Sequence, residues 1–302
     1  VVKLDRSYRR RAFLQLLAAT GIAGISSPLH ATAAASSGAA DLRLAAIDWA
    51  MLETAWALGH KPVAACELIR FRVESPAVPL PQETLDLGLR GAPNFEQLRF
   101  AAPDLILSSP FYTRHEAALS AVAPVFSLPF FVRGEPSLPH ALNALEGLAE
   151  RLGDRQAGER ARQAAEDRFD RIANRLRPQA GRPVMLIDFG DSRHFRAFGF
   201  DSLYGSTLTR LGLVNAWQDG TQFSFAAPVP IDRLAEMSDA SFVIVSPIPI
   251  EAQAQLQRSV LWNALSPVKA GRVHQLAATN AFGGVPSGIA FAEGLADALA
   301  TA

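Results

Sequence analysis

DRQAGERARQAAEDRFDRIANRL, residues 154 to 176, is the stretch from which the rest of the chain is read. Ala157, Ala161, Ala165, Phe169, Ile172 and Leu176 recur at steps of three or four, with Arg and Glu filling the other positions. That spacing puts one narrow apolar stripe along a charged helix. Asp154 is placed to cap the first turn, Gly153 to close a preceding helix, and Pro178 to stop continuation. At about 1.5 Å per residue the helix is roughly 35 Å long, more than one small lobe needs, so it reads as a strut.

Outward from the strut, both halves of the chain alternate short apolar runs with helical ones. Before it come LRLAAI (42 to 47), PVAAC (62 to 66), TLDLG (84 to 88), DLILSS (104 to 109) and PVFSLPFF (124 to 131). After it come PVMLIDF (183 to 189), FRAFG (195 to 199), NAWQ (215 to 218), SFVIVS (241 to 246) and RVHQL (272 to 276), with a helix predicted over IDRLAEM (231 to 237). Strands taking turns with helices imply mainly parallel sheets covered on both faces. The expected fold is therefore α/β: two lobes, residues 41 to 153 and 178 to 302, joined by one long helix over 154 to 177, with a ligand cleft between them.

A chain of 302 residues with 49% hydrophobic content can bury a sizeable core. Lys plus Arg and Asp plus Glu balance at 29 each, so no basic field points to nucleic acid. The single cysteine, Cys66, excludes an internal disulfide framework and a Cys-based zinc site. Arg9, Arg10 and Arg11 precede a moderately apolar run from Leu16 to Ile25 and then small residues. This is the layout of an export signal, RRxFL suggesting the twin-arginine type, with a flexible leader to residue 40. The apolar run is too short to span a bilayer. Removing the first 33 residues takes five basic groups and one acidic group and leaves a net charge of about −4. The mature protein is expected in the periplasm, as a monomer.

The six histidines form neither HExxH nor an i, i+4 pair, so no metal site held by protein ligands is expected. Neither GxxxxGK[ST] nor a GxGxxG after a strand is present, and Phe282-Gly283-Gly284-Val285-Pro286 reads as a tight loop at the cleft. LIDFGDSRH runs a strand into Gly190-Asp191-Ser192, which looks like the nucleophile block of GDS-type esterases. It lies mid-chain without a C-terminal DxxH, so a strand-ending turn is the plainer reading and no catalytic residue is expected. The remaining constellation is cationic and aromatic: Arg90 between Gly88 and Gly91, Tyr112 in SSPFYTRHE, and Trp217 with Phe223, Phe225 and Phe282. Strand-end loops of parallel sheets are where ligands sit. An Arg and a Tyr hydroxyl facing aromatic rings suit an amphipathic ligand with acceptor oxygens; an ion pair at Arg90 and a core position for Trp217 are the alternative.

The chain resembles the periplasmic ferric-hydroxamate siderophore-binding proteins, the iron-uptake class joined by a single long helix. The resemblance is carried by the twin-arginine leader, LDLGLRGAPNFEQL (85 to 98), LSSPFYTRHEAALSAVAP (107 to 124), FDRIANRLRP, FGFDSLYGSTLTRLGLVNAWQ (198 to 218), VPIDRLAEM (229 to 237) and LWNALSPVKAGRV (261 to 273). It implies that Arg90 and Tyr112 hydrogen-bond the iron-bound hydroxamate oxygens and that Trp217 packs on the siderophore. Iron then enters only as part of the ligand, with no separate cofactor. It also implies delivery to an inner-membrane ABC permease, with Glu116 and Glu251 as docking residues. Glu74, Ser224 and Asn280 stand where enteric members carry further tryptophans, and Phe282 lacks a tyrosine hydroxyl. Those departures leave the particular siderophore open, and haem, cobalamin, a catecholate complex or a metal are the alternative cargoes.

Overall fold

The apolar runs of the first half become strands β1 (Leu44–Ala46), β2 (Ala64–Ala65), β3 (Leu85–Asp86), β4 (Gly88–Leu89), β5 (Ala92–Pro93), β6 (Leu105–Ser108) and β7 (Val125–Ser127). The computed structural model describes residues 42–221 and 228–300. The leader, Phe223, Ser224 and Phe225 therefore lie outside the described residues. Five strands form a sheet in the order β3-β2-β1-β6-β7 with every pair parallel. Parallel neighbours need crossovers. Helices α1 (Trp49–Ala57), α2 (Leu68–Glu74), α3 (Phe95–Ala101) and α4 (Glu116–Ser120) fall between the strands. Every residue of β1 and β6 is buried, as a sheet covered on both faces requires. The hairpin of β4 and β5 interrupts this pattern and carries Arg90 at its tip.

Helices α5 (Ser137–Leu152) and α6 (Arg155–Leu176) meet at Gly153, whose φ of 79° suits glycine and closes α5. Asp154 caps α6 by accepting from the Ala157 N–H at 3.0 Å. The stripe buries Ala165, Phe169, Ile172 and Leu176, with Ala157 and Ala161 half-buried, against α5 and against the last helix, α11 (Val285–Ala300). Gly158 lies where α6 crosses α5. A Cβ there would fall 2.7 Å from the Ala149 Cβ and 3.1 Å from the Glu146 Cα. On the charged flanks, Arg162 pairs with Glu146, Arg175 with Asp297 and Arg210 with Glu166, mostly exposed pairs that contribute little each. Beyond Leu176 the chain tightens into a 3₁₀ turn, Arg177–Gln179, containing Pro178.

The second sheet contains β8 (Val184–Phe189), β9 (His194–Ala197), β10 (Val229–Pro230), β11 (Ser241–Ile244) and β12 (Val273–Gln275) in the order β10-β9-β8-β11-β12. Here β8, β11 and β12 are parallel, while β9 pairs antiparallel with both of its neighbours, β8 and β10. The reason is local: Gly190 to Arg193 is too short for a crossover, and the Asp191 carboxylate folds it by accepting from the N–H groups of Arg193 and His194. NAWQ contributes only a single bridge, Asn215 to Val184, and IDRLAEM forms a 3₁₀ turn over Ile231–Glu236 rather than an α-helix. Helices α7 (Leu203–Arg210), α8 (Ile250–Arg258), α9 (Val260–Ala264) and α10 (Ser266–Lys269) complete this half before α11.

One apolar core runs through both halves. It includes Leu44 and Leu107 of the first sheet, Leu186 and Val243 of the second, and residues of α5, α6, α7 and α11 between them. The outer faces of the two sheets have their own smaller cores, around Ile106 and Phe242.

Candidate functional site

Ligands of parallel sheets collect beyond the carboxyl ends of strands. Asp48 follows β1, Glu67 follows β2, Arg90 lies in the hairpin after β3, Phe111 and Tyr112 follow β6, Phe131 follows β7, and Phe282 follows β12. All of them line one concavity of about 270 Å³. A larger apolar hollow of about 400 Å³ lies against α6 and the start of α11. Its rim includes Trp56, Leu145 and Ile289, and it has little to offer an oxygen-rich ligand.

Arg90 is held from two directions. Its guanidinium lies 3.8 Å from the centroid of the Trp49 ring, a cation–π contact, and Trp49 is fixed by donating from its indole N–H to the Cys66 carbonyl at 2.9 Å. Glu67 accepts from both the backbone N–H and the Nε of Arg90, each at 3.1 Å. Glu67 itself sits in the left-handed region, φ 54° and ψ 43°, a strained backbone for a residue with a side chain. These contacts engage the backbone N–H and the Nε of Arg90. Arg70 pairs with Glu74 at 2.5 Å, which gives Glu74 a local role.

Asp48 caps α1 by accepting from the N–H groups of Ala50 and Met51, and takes a third hydrogen bond from the Ser109 hydroxyl at 2.8 Å. Burial pushes its carboxyl above the usual range against those three bonds and the charge of Arg90. Tyr112 is half-buried beside this group. Burial, then the Asp48 carboxylate, push its phenol up to about 12, so it stays protonated and able to donate at neutral pH. Phe282 is partly exposed and meets Phe131 edge-to-face at 5.7 Å. The arrangement presents hydrogen-bond donors on one wall and aromatic edges on the other.

Arg90, Tyr112 and Phe282 are thus brought together. Trp217 is not. It is only 4% exposed and packs in the second lobe's core against Phe195 at 6.1 Å, its indole N–H donating to the Gly220 carbonyl at 3.1 Å. Phe223 and Phe225 lie outside the described residues. Glu116 begins α4 and Glu251 lies in the first turn of α8, both exposed. Asn280 is buried, not on the wall. Ser192 hydrogen-bonds Gln255, whereas His194 faces Asp191 at 3.2 Å, so Ser192 is not placed on a histidine base. No cluster of His, Cys, Asp and Glu suited to a metal ion occurs among the described residues.

Sequence reasoning missed Asp48, Trp49, Glu67, Phe111 and Phe131 at the site. Asp48 carries a readable signal, a capping residue directly after a strand. Glu67 carries none, because its position depends on an unusual φ.

Residues 44–279 match the family described as periplasmic binding protein. The iron(3+)-hydroxamate-binding protein FhuD of Escherichia coli (strain K12) is 30% identical over 257 residues, 85% of this chain and 86% of that protein. The siderophore-binding protein FhuD of Vibrio cholerae, solved with bound Fe3+–Desferal, is 25% identical with a TM-score of 0.78, over 85% of this chain and 97% of that one. The triscatecholate siderophore-binding protein FeuA of Bacillus subtilis shares the fold at 16% identity and a TM-score of 0.65, over 85% and 92%.

Proposed function

Because this chain belongs to the periplasmic binding protein family, we propose that it captures a ferric hydroxamate siderophore in the cleft and delivers it to the permease of an ABC importer. The observation that carries this reading is Arg90, locked on Trp49 and Glu67 beside a protonated Tyr112. Both groups donate hydrogen bonds. A ferric tris-hydroxamate shows just such acceptors, the iron-bound oxygens, on a compact and partly apolar body, and its iron needs no protein ligand. Two FhuD proteins, one binding iron(3+)-hydroxamate and one bound to Fe3+–Desferal, support the same cargo class. In this reading the protein is a non-catalytic periplasmic monomer exported through its twin-arginine leader. Glu116 and Glu251, exposed near the amino ends of their helices, dock the permease.

Charge separates this reading from a catecholate cargo. Arg90 is paired with Glu67, and Asp48 is the other charged group of the lining, so the wall carries little surplus positive charge for a strongly anionic complex. Titrating ferric desferrioxamine B, ferrichrome, a ferric tris-catecholate and haem against intrinsic fluorescence tests the assignment. Saturable quenching by the hydroxamates alone is the expected result, and an equal response to the tris-catecholate would overturn it. Arg90→Ala is expected to weaken hydroxamate binding by roughly tenfold or more, from the loss of a charge-assisted bond of about 1.5 to 3 kcal/mol.

A further inference from the structure

Among the described residues, the side chain with the most hydrogen bonds lies outside the cleft. Glu53, in the middle of α1, is 0% exposed, and its carboxylate is surrounded by donors. One oxygen accepts from the Ser75 hydroxyl at 3.0 Å, the Asn280 side-chain amide at 3.1 Å and the Ser287 hydroxyl at 2.6 Å. The other accepts from the backbone N–H groups of Gly284 at 2.8 Å and Ser287 at 3.1 Å. Glu53 and Ser75 belong to the first half of the chain; Asn280, Gly284 and Ser287 belong to the second. A carboxylate of one half therefore caps the first turn of α11 in the other, where the aligned N–H groups favour an anion.

This contact explains the glycine pair. A Cβ on Gly283 would lie 2.5 Å from Glu53 Oε2 and 2.3 Å from the Ser287 hydroxyl, and one on Gly284 would lie 3.0 Å from the Ala50 carbonyl. The tight loop expected from the sequence is thus also a cradle of backbone N–H groups, and the group it holds is an internal carboxyl.

The network leads on to the cargo site. While the Asn280 amide nitrogen faces Glu53, its carbonyl oxygen accepts from the Phe282 N–H at 2.9 Å. Glu53 Oε1 accepts here, as it does from both serine hydroxyls, so it takes the NH₂ end of Asn280 and leaves the carbonyl end to the Phe282 N–H. Phe282 lines the concavity next to Arg90 and Tyr112. We propose that Glu53 is a positioning residue for cargo binding, setting through Asn280 the backbone of Phe282 and hence the second lobe's wall of the cleft.

The affinity part rests on the ferric-hydroxamate reading, and the test separates the two. Glu53→Gln, Asn280→Ala, Phe282→Ala and the double variant Glu53→Gln/Phe282→Ala are titrated with ferric desferrioxamine B, and amide hydrogen exchange is followed in the cargo-free proteins. Glu53→Gln is expected to weaken binding by about tenfold, equivalent to about 1.4 kcal/mol. The loss is expected to be no larger in the double variant than in Phe282→Ala alone, because both act through one contact. Exchange is expected to rise at residues 280–287 while the central strands keep their protection. Losses that multiply in the double variant, or unchanged exchange at Phe282, would overturn the proposal. If Glu53→Gln does not fold, Asn280→Ala decides: it leaves Glu53 four of its donors, and wild-type affinity with wild-type Phe282 exchange would overturn the proposal. If the wild-type protein binds no hydroxamate complex, the cargo reading fails, while the exchange at Phe282 still decides whether Glu53 sets that wall.

Discussion

At the scale of single residues, the site depends on groups whose environments keep them in one protonation state. Tyr112 is the clearest case. Its phenol is pushed up to about 12, first by burial and then by Asp48, from an ordinary value of about 10. Between those values the native state retains a proton that the unfolded state has lost. The stability tied to this group is therefore level below about pH 10 and falls as the pH rises from about 10 to about 12. Absorbance titration at 295 nm should show a late-ionising phenol that disappears in Tyr112→Phe. Arg90 and Tyr112 were legible in the sequence because glycines and strand ends bracket them. Their partners were less so. Trp49 reads as an ordinary helix residue, and the pairing of Glu67 with Arg90 spans 23 positions. Trp217 shows the converse: an aromatic after a predicted strand reads the same whether it faces a ligand or a core, and here Phe195 and the Gly220 carbonyl occupy its ring and its N–H.

Among the elements, α6 was the most legible, since its caps and stripe are written locally in the sequence. What it packs against was not, because α11 lies more than 100 residues away. Gly158 shows how tight the crossing is. In an exposed helix Gly→Ala gains about 1 kcal/mol. At this crossing the new methyl would meet the Ala149 Cβ, which moves only with its backbone, and overpacking of this kind costs about 1 to 3 kcal/mol. Gly158→Ala is therefore expected to lower the melting temperature, and Ala149→Gly in the same chain to restore part of it. A rise in melting temperature for the single variant would show that α5 and α6 yield more easily than their spacing suggests. Two details lie below what the spacing of apolar residues resolves. The antiparallel return of β9 follows from a loop too short for a crossover, and the 3₁₀ turn at Ile231–Glu236 has an apolar spacing that a short α-helix would also show.

For the whole molecule, strand and helix alternation was enough to give two α/β halves, yet it said nothing of the core they share. Leu44, Leu186, Val243 and Phe291 belong to one apolar cluster, and Glu53 ties α1 to the start of α11 within it. The two halves are expected to melt in a single transition, with calorimetric and van't Hoff enthalpies in agreement. Small-angle scattering should give superimposable curves with and without cargo; separate transitions or a marked compaction would contradict a common core. That core also determines how the protein could serve as a sensor. Two dyes placed one on each half would report almost no change in separation when cargo arrives. A single environment-sensitive dye beside the exposed ring of Phe111, at the rim of the cleft, would register occupancy instead.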